Sequence, residues 1–441
     1  MKSWIVSGLA AYLILPATGH AMFMQPGPIP LERIATNTRT YIEAHPDDAA
    51  GYYTLGRIYY LGFVNQAALI PGFNEGADGQ LPGVAPDWLS GNFSYQLINA
   101  EAEKRALKEM GITERPDYSS ENREPFQKLQ QEYIQKLQDE NWKPEAISSD
   151  TALQYAGDAK TYFQKAIALD AGNGLYRLGL ASLNEQVFNY LTENKLESAA
   201  FTDLKKDDLL NGYWTAFEHS KDEDAALSHR PVSGLASLVS FEAGRAWIRL
   251  GGKDEARTGI IQDHLDKLDH LQMGAITPLV ITDAEIVEPG AFVRKDLSVC
   301  FDLDGEGHAE AWEWVTPETA FLVWDPGDHR SIRSGTQLFG NYTFRIIWSD
   351  GFRALSVLDD NMDGVIAGNE LDGLSVWYDR NSNGISEPDE VKPVQTEGIT
   401  SLAYDHPETC EGILVQRGGV AYGNGPAAHL WDWISYTQPD E

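Results

Sequence analysis

The chain reads as a multidomain, mixed protein. A helical N-terminal part precedes a compact α/β part of short strands and short helices. Three observations predict this. Apolar residues recur at helical spacing between about residues 31 and 274. Beyond that point the pattern breaks into short β-branched and aromatic runs separated by Asp, Asn, Gly and Pro. Within this second part, two twelve-residue stretches space oxygen-bearing side chains evenly around a glycine.

The first residues have the pattern of a secretory signal peptide. Lys2 supplies positive charge, Trp4 to Leu15 form an apolar run, and small residues suit cleavage after Ala21. The run is too short to span a bilayer comfortably. The expected order is a signal peptide over 1–21, a Pro-rich linker over 22–30, a helical domain over 31–274 and a second domain over 275–441. With 441 residues there is enough chain for two or three cores. The formal charge of −32 disfavours nucleic acid and anionic membranes as partners and suits cation binding.

The helical part opens with helices expected over Leu31–Ala44 and Ala49–Leu61. His45-Pro46-Asp47-Asp48 stops the first, and an Asp caps the second. Tyr52, Leu55, Gly56 and Tyr59 in the second helix resemble the first helix of a tetratricopeptide repeat. Ala159, Phe163 and Ala166, followed by Leu178 and Gly179, resemble another copy, and Gly244 through Trp247 to Ala256 a looser third. The resemblance implies a tetratricopeptide-like domain in which small residues let helices approach and large ones fill the gaps. An insertion over about 63–151 separates the first two copies. It carries Gly/Pro-rich loops from Pro71 to Pro86 and an amphipathic helix at Glu124–Trp142, with Phe126, Leu129, Tyr133 and Leu137 on its apolar face.

The boundary falls near Gly274–Asp283, where Ile276–Ile281 reads as a strand or linker. Strands are expected at Leu297–Phe301, Ala320–Trp324, Ser375–Tyr378, Thr400–Tyr404 and Ile413–Gln416, with a short helix at Gly351–Leu358.

The two twelve-residue stretches carry the chemistry. Asp359, Asn361, Asp363, Gly364 and Glu370 occupy positions 1, 3, 5, 6 and 12 of one; Asp379, Asn381, Asn383, Gly384 and Glu390 do so in the other. This is the spacing of an EF-hand calcium loop. Calcium takes about six to eight hard oxygen ligands, and alternate residues of a tight loop aim three side chains at one centre. Glycine at position 6 turns the backbone so that the position-7 carbonyl, of Val365 or Ile385, faces the ion, and the position-12 Glu closes the shell. The expected calcium ligands are therefore Asp359, Asn361, Asp363, Val365 and Glu370 in loop one, and Asp379, Asn381, Asn383, Ile385 and Glu390 in loop two. Asp360, at position 2, points away from the ion, and Glu387, at position 9 of loop two, acts through water. Ser386 replaces the usual aliphatic residue at position 8, which weakens pairing between the loops. Only eight residues, Leu371 to Tyr378, separate the loops, too few for two helices and a linker. This argues against a sensor that swings long helices.

Two further stretches are degenerate. Asp302, Asp304, Glu306, Gly307 and Glu313 keep the positions but place a long Glu at 5. The stretch Asp325 to Ile332 has Arg330 at position 6, and Gln337 follows it; this one is expected to keep the turn and lose the ion. Together with Phe301–Gly305, Leu322–Asp325, Ser334–Gly340 and Trp431-Asp432-Trp433, the loops make the last 145 or so residues resemble calcium-binding modules of secreted bacterial proteins. Joined to helical repeats, they resemble a largely uncharacterised group of exported bacterial proteins, which implies calcium binding.

Cys300 and Cys410 are the only cysteines, and an exported chain would allow them to pair. No nucleophile elbow, phosphate loop, zinc-protease or dinucleotide motif is present, and the abundant carboxylates nominate no site. His264 and His270 read as surface residues. The expectation is a non-enzymatic, exported calcium-binding interaction scaffold, with calcium and an unidentified protein as partners. The alternative is a secreted enzyme with its site in the helical domain or its insertion. The discriminating feature is a shallow helical surface against a deep pocket of perturbed titratable groups.

Overall fold

The computed structural model describes residues 29–70, 93–112, 116, 122–140, 147–202, 204–226, 239–268, 277–303, 309–326, 330–341, 343–346, 348–387 and 389–435. The expected signal peptide and most of the linker lie outside the described residues. No helix among the described residues is long and apolar enough to cross a membrane.

The fold is mixed. The N-terminal part is helical, and the C-terminal part is a curled antiparallel sheet with short helical turns. After a two-residue strand β1 (Ile29–Pro30) come α1 (Leu31–Ala44), α2 (Ala49–Asn65) and the partner strand β2 (Leu69–Ile70). Asp48 caps α2 by accepting the Ala50 N–H at 3.0 Å, as expected for an Asp before a helix. The insertion holds α3 (Phe93–Met110) and α4 (Arg123–Asp139), which pack on one another through Ala102, Ile134 and Leu137. The buried stripe of α4 is Phe126, Gln130, Ile134 and Leu137, so the expected face is turned by about one residue. Leu129 and Tyr133 flank it half-buried.

The chain continues through α5 (Ser149–Leu169), α6 (Gly174–Asn194), α7 (Lys206–Ala225), α8 (Val239–Arg249) and α9 (Glu255–Leu268). The residues singled out at the repeat positions are packing residues. Ala159, Phe163 and Ala166 are fully buried. Gly56 and Gly179 both lie against the Phe163 ring, and a Cβ on Gly56 would come within 2.7 Å of it. Glycine there lets α2 and α5 approach. Glu185 on α6 is buried, accepts Arg249 Nη1 and Nη2 of α8 at 2.5 and 2.9 Å, and also accepts the Tyr213 hydroxyl of α7. One carboxylate thus ties three helices.

His264 is not a surface residue. It is 8% exposed on α9, and its Nε2 lies 2.8 Å from Ser240 Oγ of α8, which itself donates to Asp224 of α7. The misreading has a physical source. Spacing shows which residues share a helix face, but not that α7 and α8 close over that face. His270 lies outside the described residues.

The sheet part begins with β3 (Leu279–Thr282), followed by β4 (Val293–Phe301), β5 (Glu310–Val315) and β6 (Ala320–Trp324). A short helix, α10 (Gly351–Leu355), runs into a 3₁₀ turn at Ser356–Leu358. Then come β7 (Val365–Ala367), β8 (Leu374–Trp377), β9 (Val391–Pro393), β10 (Ile399–Ala403), β11 (Glu408–Cys410), β12 (Ile413–Tyr422) and β13 (Ala428–Asp432). The main sheet runs β7-β10-β12-β13-β3-β6-β8-β9, with β11 on β12; β4 and β5 form a separate hairpin.

Both faces of this sheet are buried along β3, β6, β8 and β13. Leu279, Ile281, Leu322, Trp324, Leu374, Val376 and Leu430 point into a core continuous with that of α1, α2 and α5. Val280, Phe321, Val323, Trp377 and Trp431 point the other way. They meet Phe301, Trp312 and Trp314 of the hairpin. This is the period-two alternation of a strand with apolar partners on each side.

The expected disulfide is absent. Cys300 is exposed on β4 of the hairpin, and Cys410 is half-buried on β11 at the main sheet; both are free. Sequence shows that two cysteines exist but not that the fold assigns them to different sheets. Alkylation of the denatured, unreduced protein should therefore label two thiols per chain; no labelling would place the bridge back.

Two further outcomes follow from the helical packing. Gly56→Val should destabilise the chain by about 1–3 kcal/mol, because the new side chain must displace the Phe163 ring; denaturant unfolding measures it. Burial, aided by Lys267, holds the His264 pKa below its ordinary value. The unfolded chain therefore binds that proton first, and stability present above the ordinary histidine range is lost as pH falls through it. Burial raises the Asp224 pKa, with the opposite sign and at lower pH. Melting temperature should drop between pH 7.5 and 5.5, and His264→Gln should flatten the drop.

Candidate metal centres

Loop one follows the 3₁₀ turn after α10, and its second half enters β7 and a further 3₁₀ turn, Gly368–Leu371. Loop two joins β8 to β9. The eight residues between them hold β8, so the short spacing is filled by a strand, as expected.

The two loops build the same cage from the same local chemistry. The position-1 carboxylate accepts the position-6 N–H: Asp359 Oδ2 from Gly364 and Asp379 Oδ2 from Gly384, both at 2.9 Å. The position-3 amide oxygen accepts the position-5 N–H: Asn361 from Asp363 at 2.9 Å and Asn381 from Asn383 at 3.1 Å. Position 5 accepts the position-7 N–H: Asp363 from Val365 at 3.0 Å and Asn383 from Ile385 at 2.7 Å. Position 12 reaches back to the position-2 N–H: Glu370 from Asp360 at 2.9 Å and Glu390 from Arg380 at 2.8 Å. These are Asx-type turns in series, which Asp and Asn form readily.

The backbone matches as well. Positions 4 and 6 are left-handed in both loops, with φ of 59° and 86° at Met362 and Gly364, and 55° and 70° at Ser382 and Gly384. Position 6 must be glycine for space as well as torsion. A Cβ on Gly364 would lie 2.8 Å from the Asp405 carboxylate, and one on Gly384 2.7 Å from Val299.

Electrostatics separates the ends of each loop from the middle. Asp359, Glu370, Asp379 and Glu390 are 0%, 7%, 1% and 4% exposed. None of the four forms a salt bridge to Lys or Arg among the described residues. Buried carboxylates with no positive partner are costly, and the N–H bonds offset only part of that. The side-chain oxygens of Asn361, Asp363, Asn381 and Asn383 that accept one N–H keep a further lone pair for a cation, whereas Asp359 accepts two donors on each oxygen and Glu370 two on Oε1. Burial and the neighbouring Glu387 carboxyl push the Glu390 pKa up. Glu387 in turn accepts the side-chain amides of Asn381 and Asn383. The donor set is thus all oxygen, which suits a hard cation such as calcium. Among the described residues no three His, Cys, Asp or Glu side chains converge as a metal cluster. Asp359, Asp363 and Glu370 of loop one therefore do not converge as such a cluster, and loop two has only two acidic side chains, Asp379 and Glu390, among its expected ligands.

Residues 291–430, which contain both loops, match the family model described as SPM domain. Over 144 residues the chain is 31% identical to the iron-regulated protein FrpA of Neisseria meningitidis serogroup C. That likeness takes in 30% of this chain and spans 13% of the length of that curated relative.

The surroundings of the loops were not legible in the spacing. The Tyr404 hydroxyl of the β10 end donates to Asp359 Oδ2 at 2.8 Å, and burial together with that carboxylate raises the tyrosine pKa. Asp360 does turn away from the loop centre, as position 2 should, but it lands on α1, where Arg33 and Asn37 hold it. Loop two is tied instead to the degenerate stretch. Ser386 Oγ accepts the Ile332 N–H at 2.7 Å and donates to the Ile332 carbonyl at 3.2 Å. So Ser386 does not leave position 8 unpaired; it substitutes a side-chain contact for a strand contact.

That degenerate stretch keeps its turn. Asp325 Oδ2 accepts the Arg330 N–H at 3.0 Å, and Arg330 is left-handed at φ 56°. The side-chain amide of Gln337 donates to the Ser331 carbonyl at 2.9 Å. That carbonyl sits at position 7, so a neutral N–H stands where a cation would be drawn. Residues 304–308 of the Asp302–Glu313 stretch lie outside the described residues.

A groove of about 890 Å³ lies on the sheet part, lined among others by Tyr378, Tyr422, Asp283 and Glu397. Its residues belong to the sheet part, away from the 63–151 insertion, and Glu397 is paired with Lys392 at 2.7 Å.

Proposed function

We propose that the chain is an exported calcium-binding protein. Its sheet part is ordered by calcium in two EF-hand-type loops, and its tetratricopeptide-like helical part is a protein-interaction scaffold. The observation that carries the calcium reading is the repeated cage. Two loops with different flanking structure share one hydrogen-bond pattern, the same left-handed positions and a pair of buried carboxylates without a salt bridge to Lys or Arg among the described residues. The ligands would be Asp359, Asn361, Asp363, the Val365 carbonyl and Glu370 in loop one. In loop two they would be Asp379, Asn381, Asn383, the Ile385 carbonyl and Glu390. Bound calcium would neutralise the buried carboxylates and replace the water they lack. The match to the SPM domain model over both loops is compatible with this reading, as is the distant likeness to FrpA. The small residues at Gly56, Ala159, Ala166 and Gly179, packed as repeat positions require, support the scaffold reading. Export rests on the N-terminal pattern alone.

Modest ligand charge places the affinity at about 10⁻⁴–10⁻³ M or somewhat tighter. At calcium one hundred times its dissociation constant, each site adds about 2.7 kcal/mol. For a part of this size that is a rise of roughly 5–10 °C in melting temperature per site. Scanning calorimetry of the whole chain with calcium and with chelator should show it, and Glu370→Gln or Glu390→Gln should each remove about half. An unchanged melting temperature on chelation would reduce both loops to turns.

A further inference from the structure

We propose that Arg33 and Asn37 of α1 are positioning residues for calcium loop one, so that calcium there and docking of α1 stabilise each other. The proposal rests on the calcium reading of the loops.

Arg33 and Asn37 are four residues apart and so share one face of α1. Arg33 Nε and Nη2 donate to Asp360 Oδ1 and Oδ2 at 2.8 and 2.9 Å, a two-pronged fork. Arg33 Nη2 also donates to the Leu358 carbonyl at 3.1 Å. Asn37 Nδ2 donates to the Val357 carbonyl at 2.8 Å and to Asp360 Oδ1 at 3.0 Å, and Asn37 is buried. The two side chains therefore grip residues on both sides of the buried ligand Asp359. The backbone of the gripped residue is itself part of the cage, since the Asp360 N–H donates to Glu370 Oε1. One residue thus has its side chain on α1 and its amide on the position-12 ligand. Moving α1 moves the loop between its first and last ligands.

Loop two supplies an internal control. Its position-2 residue, Arg380, lies over Tyr378 of its own part, 4.7 Å from the ring centroid. Its other tie, Ser386 to Ile332, is also within the sheet part. Nothing from α1 holds it among the described residues. The contact at loop one is reinforced nearby, where Arg353 stacks over the Tyr41 ring of α1 at 3.4 Å and pairs with Asp48 at 3.8 Å.

An ion pair as exposed as Arg33–Asp360 adds little stability alone. Its charge also has the wrong sign to attract calcium. A purely electrostatic role would mean that removing Arg33 strengthens binding and that Asn37 is irrelevant. A positioning role predicts the reverse for variants that keep the charge. By reciprocity, a ligand that favours the docked arrangement must also tighten the docking.

The test uses the whole chain and calcium itself. Isothermal titration of wild type should resolve two sites. Asn37→Ala and Arg33→Lys should each weaken one site by about tenfold, within the usual range of coupling between sites, and leave the other unchanged. Amide hydrogen exchange of wild type should show Leu31–Ala44 protected by calcium, with the protection lost in Glu370→Gln and kept in Glu390→Gln. Two sites of unchanged affinity in both variants, or an α1 indifferent to calcium, would overturn the proposal while leaving the calcium reading intact. Failure of wild type to bind calcium would overturn both.

Discussion

A sheet with apolar side chains on both faces has to be covered twice, and the arrangement of this protein depends on that requirement. Strands β3, β6, β8 and β13 alternate strictly, with Leu279, Leu322, Val376 and Leu430 on one side and Val280, Val323, Trp377 and Trp431 on the other. The β4–β5 hairpin covers the second side with Trp312 and Trp314. The first side is covered by α10, the turn after it and the apolar faces of the N-terminal helices, which join it in one core. The helical part is therefore not a bead on a linker. Its first helix is pressed against the turn that opens loop one.

This placement gives two locally equivalent loops different roles. Both satisfy their own polar groups through the same series of turns, because Asp and Asn at alternate positions accept the amide two or more residues on. Loop two is braced within the sheet part by Ile332, and loop one across the seam by α1 and from β10 by Tyr404. The degenerate Asp325 stretch shows a third solution. It keeps the carboxylate-to-amide bond that closes the turn, while the Gln337 amide supplies the positive dipole for the position-7 carbonyl. A neutral donor there gives that carbonyl a hydrogen-bond partner from within the chain.

In the helical part, a few buried polar groups do what apolar packing leaves undone. Glu185 joins α6, α7 and α8, and Ser240 joins α7 to α9 through Asp224 and His264. Each is a directional bond between helices whose apolar faces would tolerate sliding, and each holds one register.

Local order was legible in the amino-acid sequence. The helix Leu31–Ala44, the strand Ala320–Trp324, the helical turn from Gly351 to Leu358 and the strand between the loops all follow from spacing, caps and β-branched runs. The loop cages were legible for the same reason, since every bond in them spans a dozen residues or fewer. What spacing could not show is which distant surfaces meet. Asp360 finds Arg33 across 327 residues, Asp359 finds Tyr404 across 45, and Cys300 and Cys410 end on different sheets. His264 is buried only because α7 and α8 close over it. The sequence by itself determined the local turns and the donor chemistry of the two loops, because short-range bonds depend only on near neighbours. The tertiary structure alone decided which loop is braced by α1, because that contact exists only once the doubly apolar sheet has drawn the helices onto its face.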